Sequence, residues 1–175
     1  LRAADKNSAA VRLCVADAND SHARTLTAEG KGEDAFLFAP DGRHVALIRT
    51  VKVGKDLHDL YPDLPKANAK IETDLMYRHW NQWEDGTYSH VFVATIEDGF
   101  FAEETDIMAG ERHHCPMRPY GGIEQLAWSA DGSKLAYTCK KLEGKAAALS
   151  TNSDIYVYDI STGETTNVSA PNTGY

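Results

Sequence analysis

The stretch that decides the fold is FAPDGRHVAL, residues 38–47, because it returns in closely similar form as WSADGSKLAY at residues 128–137. Each copy runs from an aromatic residue through an Asp-Gly pair into an apolar segment. An Asp-Gly pair flanked by apolar residues is a strong signal for a β-hairpin. A hairpin that recurs at a distance predicts a repeat architecture, so we interpret the chain as a series of similar units.

Three further segments also predict strands. They are rich in β-branched and aromatic residues, and each runs into a polar turn; they cover residues 12–17, 90–95 and 154–159. Together with the Asp-Gly hairpins they give two hairpins per repeat. The expected unit is therefore a four-stranded antiparallel sheet.

The spacing of these signals gives the length of the repeat. From Leu13 to Asp41 is 28 positions and from Asp131 to Ile155 is 24, which together make a repeat of 52 residues. This is close to the roughly 40 to 50 residues of a β-propeller blade. Two connections exceed the repeat, by 26 and 12 residues, and so predict insertions within about 53–87 and 100–122.

The predicted fold is all-β, a partial β-propeller of about two and a half four-stranded antiparallel blades with a short helical insertion. Its parts are the end of a blade at 11–27, a blade at 34–107 with its insertion at 53–87, and a blade at 123–169, all within one domain spanning 1–175. A propeller ring needs at least about four blades to close. Because the chain also begins at Leu1 without a methionine, we interpret it as a fragment. Open blade faces favour association, so a homo-oligomer is possible.

The composition narrows the function classes. The net charge of −8 disfavours nucleic acid as a partner, because phosphates require a basic surface. No apolar run is long enough to predict a membrane span. The three cysteines permit at most one disulfide, and Cys14 occupies a strand position that favours a small buried side chain.

The first insertion is the least blade-like part of the sequence. Thr73 is a suitable cap for a short helix from Asp74 to about Trp83. In such a helix Met76, Trp80 and Trp83 fall at i, i+4 and i+7, on one face.

The insertion also carries a resemblance to a known family. The stretches LPKA at 64–67, DLMYRHWNQW at 74–83 and SHVFV at 89–93 resemble the propeller of the S9 (prolyl oligopeptidase) family of serine peptidases, in particular its dipeptidyl- and acylaminoacyl-peptidase members. The stretches PYGGIE at 119–124 and STNSDIY at 150–156 extend the similarity. The resemblance implies a propeller that covers a separate α/β-hydrolase domain carrying Ser, Asp and His.

That catalytic domain is not found in this sequence. A nucleophile elbow requires Gly-x-Ser-x-Gly, and no two glycines of the chain lie four positions apart. Ser89 and His90 are adjacent on a predicted strand, so their side chains point to opposite faces and cannot form a nucleophile–base pair. We therefore expect no catalytic residue, metal or cofactor here. The expected role is to gate and position peptide substrates for the C-terminal α/β-hydrolase domain.

The candidate substrate-binding residues are Arg78, His79, Trp80 and Trp83. The alternative is structural: both tryptophans are buried under the helix, and Arg78 pairs with Asp74 at i, i+4.

A free peptide α-amine needs a carboxylate partner, but none of the acidic residues of the insertion is singled out; they are Glu72, Asp74, Glu84 and Asp85. The run His113-His114-Cys115 suggests a metal-binding site. Its adjacent residues lack the spacing of known zinc ligands, however, which favours an irregular loop.

A rival interpretation comes from another functional class. Asp-Gly repeats also occur in stand-alone propellers that bind proteins, such as periplasmic translocation proteins, and a fold alone does not fix function. The expected compartment is the periplasm or the exterior of a bacterium, with the cytoplasm as the alternative. Cysteine content does not decide between them.

Overall fold

The computed structural model describes residues 2–4, 11–16, 24–26, 34–75, 77–98, 100–170 and 172. The strands among them are β1 Arg2–Ala4, β2 Val11–Val15, β3 Arg24–Thr25, β4 Ala35–Phe38, β5 His44–Lys52, β6 Arg78–His79, β7 Gln82–Trp83, β8 Thr87–Glu97, β9 Phe100–Asp106, β10 Leu126–Trp128, β11 Lys134–Cys139, β12 Asp154–Asp159 and β13 Thr165–Asn167. The helices are α1 Leu57–Leu60 and α2 Gly144–Leu149, with a 3₁₀ turn at Ile123–Gln125. Within this part of the chain, neither helix has the length or the apolar character to cross a membrane.

The strands form sheets of consecutive antiparallel hairpins. One four-stranded sheet has the order β4-β5-β8-β9 and a second has the order β10-β11-β12-β13. A three-stranded sheet, β1-β2-β3, precedes them, and β6-β7 form a separate hairpin. The predicted all-β fold of four-stranded antiparallel sheets is thereby confirmed. Strand β1 lies before the predicted start of the first unit and is an addition to that prediction.

The two Asp-Gly hairpins have the same register. Phe38 pairs with Val45 across the first turn, and Trp128 pairs with Leu135 across the second. In both turns the glycine has a left-handed backbone, with φ of 69° at Gly42 and 73° at the equivalent Gly132. A residue with a Cβ is strained in this conformation, which explains the glycine at both positions.

The core lies between successive sheets, whose faces pack on each other. Alternation along β5 and β8 sends one set of apolar side chains toward β1-β2-β3 and the other set toward the last sheet. The first layer contains Leu13, Leu26, Val45, Leu47 and Ala94. The second layer contains Ala46, Ile48, Val91, Val93, Met108, Cys115, Leu126, Leu135, Tyr137, Cys139, Tyr156 and Tyr158. This face-to-face stacking is the packing expected of neighbouring propeller blades.

A β-bulge interrupts the pairing of β8 with β9. The register shifts between Val93 and Thr95, opposite Glu103, which has a φ of 47°. A bulge re-aims the side chains that follow it. Here the next residue, Glu104, reaches the buried Arg49 through two hydrogen bonds of 2.7 and 3.0 Å. A buried guanidinium needs such a partner, so the bulge fixes where β9 lies on the sheet.

Candidate functional site: the loop end of the sheets

Short turns and long connections lie at opposite ends of the two complete sheets. The strands alternate in direction, so their connections alternate between the ends. The turns around Asp41, Asp98, Asp131 and Ser161 share one end. The other end, called the loop end below, carries the connections 53–86, 107–125 and 140–153. Binding residues tend to lie on loops held by a rigid scaffold, so the loop end is the candidate functional surface.

A β-hairpin rich in aromatic residues occupies part of the longest connection. In this aromatic hairpin, residues 77–83, Arg78 pairs with Trp83 and His79 pairs with Gln82. The rings of Tyr77 and Trp83 stack with their centroids 5.7 Å apart. Cross-strand aromatic pairs of this kind stabilise short hairpins.

The predicted helix from Asp74 to Trp83 is therefore wrong. The insertion does contain a short helix, but it is α1, which Asp56 caps by accepting a hydrogen bond from the amide of Asp59. A helix of about ten residues is marginal in water unless it is packed against the protein. Tyr77 and Trp83 instead cover each other across the hairpin, and Trp80 lies in its turn with a φ of 51°.

The tryptophans are exposed, so the structural alternative, in which both are buried under a helix, is wrong. Trp80 is 66% exposed and Trp83 is 50% exposed. The ring of Trp80 meets Tyr120 edge to face, with centroids 5.2 Å apart, and Tyr120 is itself 73% exposed. Two large aromatic rings that touch each other and still face solvent form a surface suited to binding.

Arg78 and His79 belong to the same surface. The Arg78 guanidinium lies 6.0 Å from the centroid of the Trp83 ring, within cation–π range. The ring of His79 lies 6.3 Å from that of Trp80. The alternative of an i, i+4 helical pairing of Arg78 with Asp74 is wrong, because Arg78 lies in strand β6 and not in a helix. The Asp74 carboxylate accepts a hydrogen bond from the Leu75 amide at 2.7 Å. The structure thus brings all four candidate residues together, while their role in binding stays a prediction.

His114 fastens the hairpin to the sheet. Its Nδ1 accepts a hydrogen bond from the Ser89 amide at 3.1 Å, and its Nε2 lies 3.2 Å from a carboxylate oxygen of Glu84. Because Nδ1 is an acceptor here, the ring proton is on Nε2 and is donated to Glu84. This hydrogen bond lowers the pKa of Glu84, against the opposing effect of burial. The His-His-Cys run is thus part of an irregular loop, with His114 engaged in structure.

Next to the hairpin is an open cavity of about 230 Å³. It lies at the loop end of the β4-β5-β8 face that packs on the last sheet, and the connection after β9 closes its other side. Its lining residues are Asp34, Ala35, Ile48, Ser89, Pro116, Met117, Arg118, Pro119, Gly121, Gly122 and Ile123. Tyr120 does not itself line the cavity, but it lies in the chain between Pro119 and Gly121, which do.

The wall formed by residues 115–125 is tightly held. The amide of Cys115 donates to the Ser89 carbonyl at 2.8 Å, and the amide of Met117 donates to the Gln125 side chain at 2.8 Å. A Cβ on Gly121 would lie 2.4 Å from the Met117 carbonyl oxygen. Only glycine fits there, so Gly121 is a packing requirement of this wall.

The adjacent residues Ser89 and His90 point in opposite directions, as predicted. Ser89 lines the cavity, whereas His90 is fully buried on the other face. The His90 ring nitrogens lie 2.9 Å from a carboxylate oxygen of Asp106 and 2.9 Å from the Glu111 carbonyl oxygen. Both nitrogens are engaged in cross-linking β8 to β9 and the following loop, so His90 has a structural role.

The cysteines are buried thiols. Cys14 is buried, as predicted, and Cys115 and Cys139 are buried in the layer between the two complete sheets. Burial raises the pKa of Cys115 strongly and raises that of Cys139 to about 12. Because the thiolate is the reactive form, neither residue is suited to act as a nucleophile.

A second polar contact joins the other two loop-end connections. The Lys141 ammonium pairs with the Glu111 carboxylate and lies 4.4 Å from the centroid of the Tyr156 ring. Burial works against ionisation of Glu111, but the hydrogen bond from Lys141 and the nearby His113, whose Nδ1 lies 3.6 Å from the carboxylate, outweigh it and lower the pKa of Glu111. The 107–125 connection is thereby attached to both complete sheets.

Sequence reasoning missed Tyr120, Arg118 and the cavity. The stretch PYGGIE, residues 119–124, is part of the family resemblance, but its sequence did not indicate that any of its residues binds substrate. An aromatic residue between Pro and Gly-Gly signals a tight loop with an outward side chain. That signal could have identified Tyr120, whereas the cavity depends on contacts between residues distant in sequence.

Comparison with known proteins identifies relatives of this chain. No model of a known protein family matches the chain. The protein named dipeptidyl-peptidase 5 from Porphyromonas gingivalis is 46% identical over 144 residues, covering 82% of this chain. The protein of the same name from Porphyromonas endodontalis is 36% identical over 152 residues, covering 87% of the chain. A third, from Aspergillus fumigatus, is 25% identical over 126 residues.

The similarity covers most of this chain but a minor part of its relatives. The chain spans 21% and 22% of the length of the two Porphyromonas proteins. The peptidase resemblance seen in the sequence is confirmed: this chain corresponds to a portion, about a fifth of the length, of the larger peptidases named dipeptidyl-peptidase 5.

Proposed function

We propose that this chain is a non-catalytic portion of the β-propeller of a dipeptidyl peptidase, and that its loop end gates and positions peptide substrates. Hydrolysis then takes place in a separate α/β-hydrolase domain, with a Ser-His-Asp set and an acyl-enzyme. The similarity to proteins named dipeptidyl-peptidase 5 supports the peptidase assignment. It also favours this proposal over a stand-alone protein-binding propeller.

One observation carries the positioning role. Trp80 and Tyr120 come from two different connections, meet edge to face and remain mostly exposed. A purely structural aromatic pair would bury its rings, since burial of the ring surface is the main stabilising contribution of such residues. Arg78 adds a fixed positive charge beside the rings, and it is able to donate hydrogen bonds to peptide carbonyl groups.

The test compares two exposed aromatic residues at opposite ends of the sheets. In the full-length protein, Trp80→Ala should lower kcat/KM for dipeptidyl-4-nitroanilides by roughly tenfold, which corresponds to about 1.4 kcal/mol of lost aromatic contact. Phe100→Ala is the matched control, because Phe100 is 49% exposed and starts β9 at the turn end. It should change kcat/KM by less than about twofold, as expected of a surface substitution.

Equal losses in the two variants would show that Trp80 has no special role at the loop end. A full-length protein that cleaves no dipeptidyl substrate would refute the peptidase assignment itself. The second outcome concerns the wild-type protein, so the two failures are separable.

A further inference from the structure

We propose that the cavity beside the aromatic hairpin binds an apolar side chain of a peptide whose neighbouring residue lies on Trp80 and Tyr120. This inference rests on the proposed function and assigns the part of the loop end that selects among peptides. The inference concerns the size of one side chain of the bound peptide, whereas the proposed function concerns the positioning of peptides in general.

The volume of the cavity fits a large apolar side chain. It measures about 230 Å³, whereas an engineered apolar cavity of about 150 Å³ in another protein holds benzene. A leucine or phenylalanine side chain therefore has enough room. An alanine side chain would leave most of the space to water.

The lining supports an apolar side chain flanked by peptide groups. Ala35, Ile48 and Met117 provide apolar walls, together with prolines on the opposite side. Asp34 and Arg118 add an acceptor and donors of hydrogen bonds. A peptide brings both kinds of group, since its side chain needs apolar contact and its N–H and C=O groups need partners.

The walls are in place before any ligand arrives. The Cys115–Ser89 hydrogen bond holds the loop against β8, and the Met117–Gln125 hydrogen bond and the close approach of Gly121 to the Met117 carbonyl pack the loop on itself. A preformed cavity loses little conformational entropy when it is occupied. Discrimination by side-chain size is therefore expected to be sharp.

The exposed ring of Tyr120 belongs to the same loop that forms one wall of the cavity. Pro119 and Gly121 line the cavity, and Tyr120 between them touches Trp80. Consecutive residues of an extended peptide are about 3.3 to 3.6 Å apart. Adjacent residues of one peptide thus reach the cavity and the Trp80–Tyr120 pair together.

The experiment changes the cavity in opposite directions. Ala35→Leu fills it from the β4 wall, and Met117→Ala enlarges it while leaving the backbone hydrogen bonds of residue 117 intact. Ala109→Leu is the matched control, since it is the same substitution at an exposed loop-end residue outside the cavity lining. The probes are the dipeptides Ala-Ala, Leu-Ala, Phe-Ala, Ala-Leu and Ala-Phe, with binding to the full-length protein measured by isothermal titration calorimetry.

The wild-type protein should bind leucine over alanine at one of the two positions by roughly tenfold or more, since each buried methylene contributes about 0.8 kcal/mol. Ala35→Leu should abolish that preference while Ala-Ala still binds. Met117→Ala should shift the preference toward phenylalanine, and Ala109→Leu should match the wild type.

Two results would overturn the proposal. The first is an unchanged size preference in both cavity variants while dipeptides still bind, and this result leaves the proposed function standing. The second is loss of Ala-Ala binding in both cavity variants, because filling or enlarging the cavity should spare a ligand that hardly occupies it. If no dipeptide binds the wild type and no dipeptidyl substrate is cleaved, the inference and the proposed function both fail.

Discussion

The two Asp-Gly turns have the same register but differ in their surroundings, and this difference predicts unequal effects of the same substitution. Gly42 and Gly132 both have a left-handed backbone, with φ of 69° and 73°. A Cβ on Gly42 would meet nothing within 4 Å, whereas a Cβ on Gly132 would lie 2.7 Å from Cγ of Asp41. The second turn therefore packs against the aspartate of the first.

The expected costs follow from these contacts. A residue with a Cβ in the left-handed region costs about 1 to 2 kcal/mol, so this is the whole effect expected for Gly42→Ala. Gly132→Ala also displaces Asp41, which accepts hydrogen bonds from the amides of Arg43 at 2.8 Å and His44 at 3.1 Å. Each lost bond costs about 1 kcal/mol, so Gly132→Ala should cost about 2 to 4 kcal/mol.

The assay is urea-induced unfolding of the single variants and of a double variant with Asp41→Gly. Asp41→Gly removes both Cβ and the carboxylate of Asp41, whose atoms would lie 2.7 to 2.9 Å from the new Cβ, so in that background the cost of Gly132→Ala should fall to about that of Gly42→Ala. Equal costs for the two alanine substitutions in the wild-type background would refute the packing argument, and so would a Gly132→Ala cost that does not depend on Asp41.

Two further predictions concern ionisation and burial. The hydrogen bond from His114 lowers the pKa of Glu84 in the folded protein. The ionised Glu84 therefore stabilises the fold at pH values above the ordinary glutamate pKa of about 4.3, and this stabilisation is lost as the pH falls through the pKa of Glu84 in the folded protein. The stability difference between wild type and Glu84→Gln should therefore shrink below about pH 4, and a difference independent of pH would contradict this. Iodoacetamide at about pH 8 should modify Cys115 and Cys139 only after denaturation, because burial suppresses their thiolates. Peptide mapping that finds either one modified in the native protein would contradict their placement.

The sheets were predictable because their signals are local. Asp-Gly turns with apolar flanks specify a hairpin within about ten residues, so the register of Phe38 with Val45 follows from sequence alone. Strand β1, Arg2–Ala4, lacks β-branched and aromatic residues, so nothing local marked it as a strand. Its pairing with β2 supplies the order that its own composition does not.

The candidate site was predictable only in part. The residue types of the insertion singled out Arg78, His79, Trp80 and Trp83, and the structure groups them. Their conformation was mispredicted because Met76, Trp80 and Trp83 have helical spacing, while the Tyr77–Trp83 pair that favours a hairpin has no periodic signature. Compartment and oligomeric state stay predictions.

The cavity could not be predicted from sequence. Its walls join residues from β4 and β8 to a loop after β9, and no pattern within one segment encodes such a contact. The same holds for the Glu84–His114 contact, whose partners are 30 positions apart.

The separation of turns from long connections has an evolutionary consequence. Each doubling of loop length costs only about 0.6 kcal/mol in closure entropy, and β5 pairs with β8 along its whole length, from His44 with Thr95 to Lys52 with Thr87. Natural variation can therefore replace the segment between Lys52 and Thr87 without altering strand register. A foreign peptide inserted at this site in the laboratory should be tolerated for the same reason, so the sheets are a scaffold on which loops of different binding specificity can be exchanged.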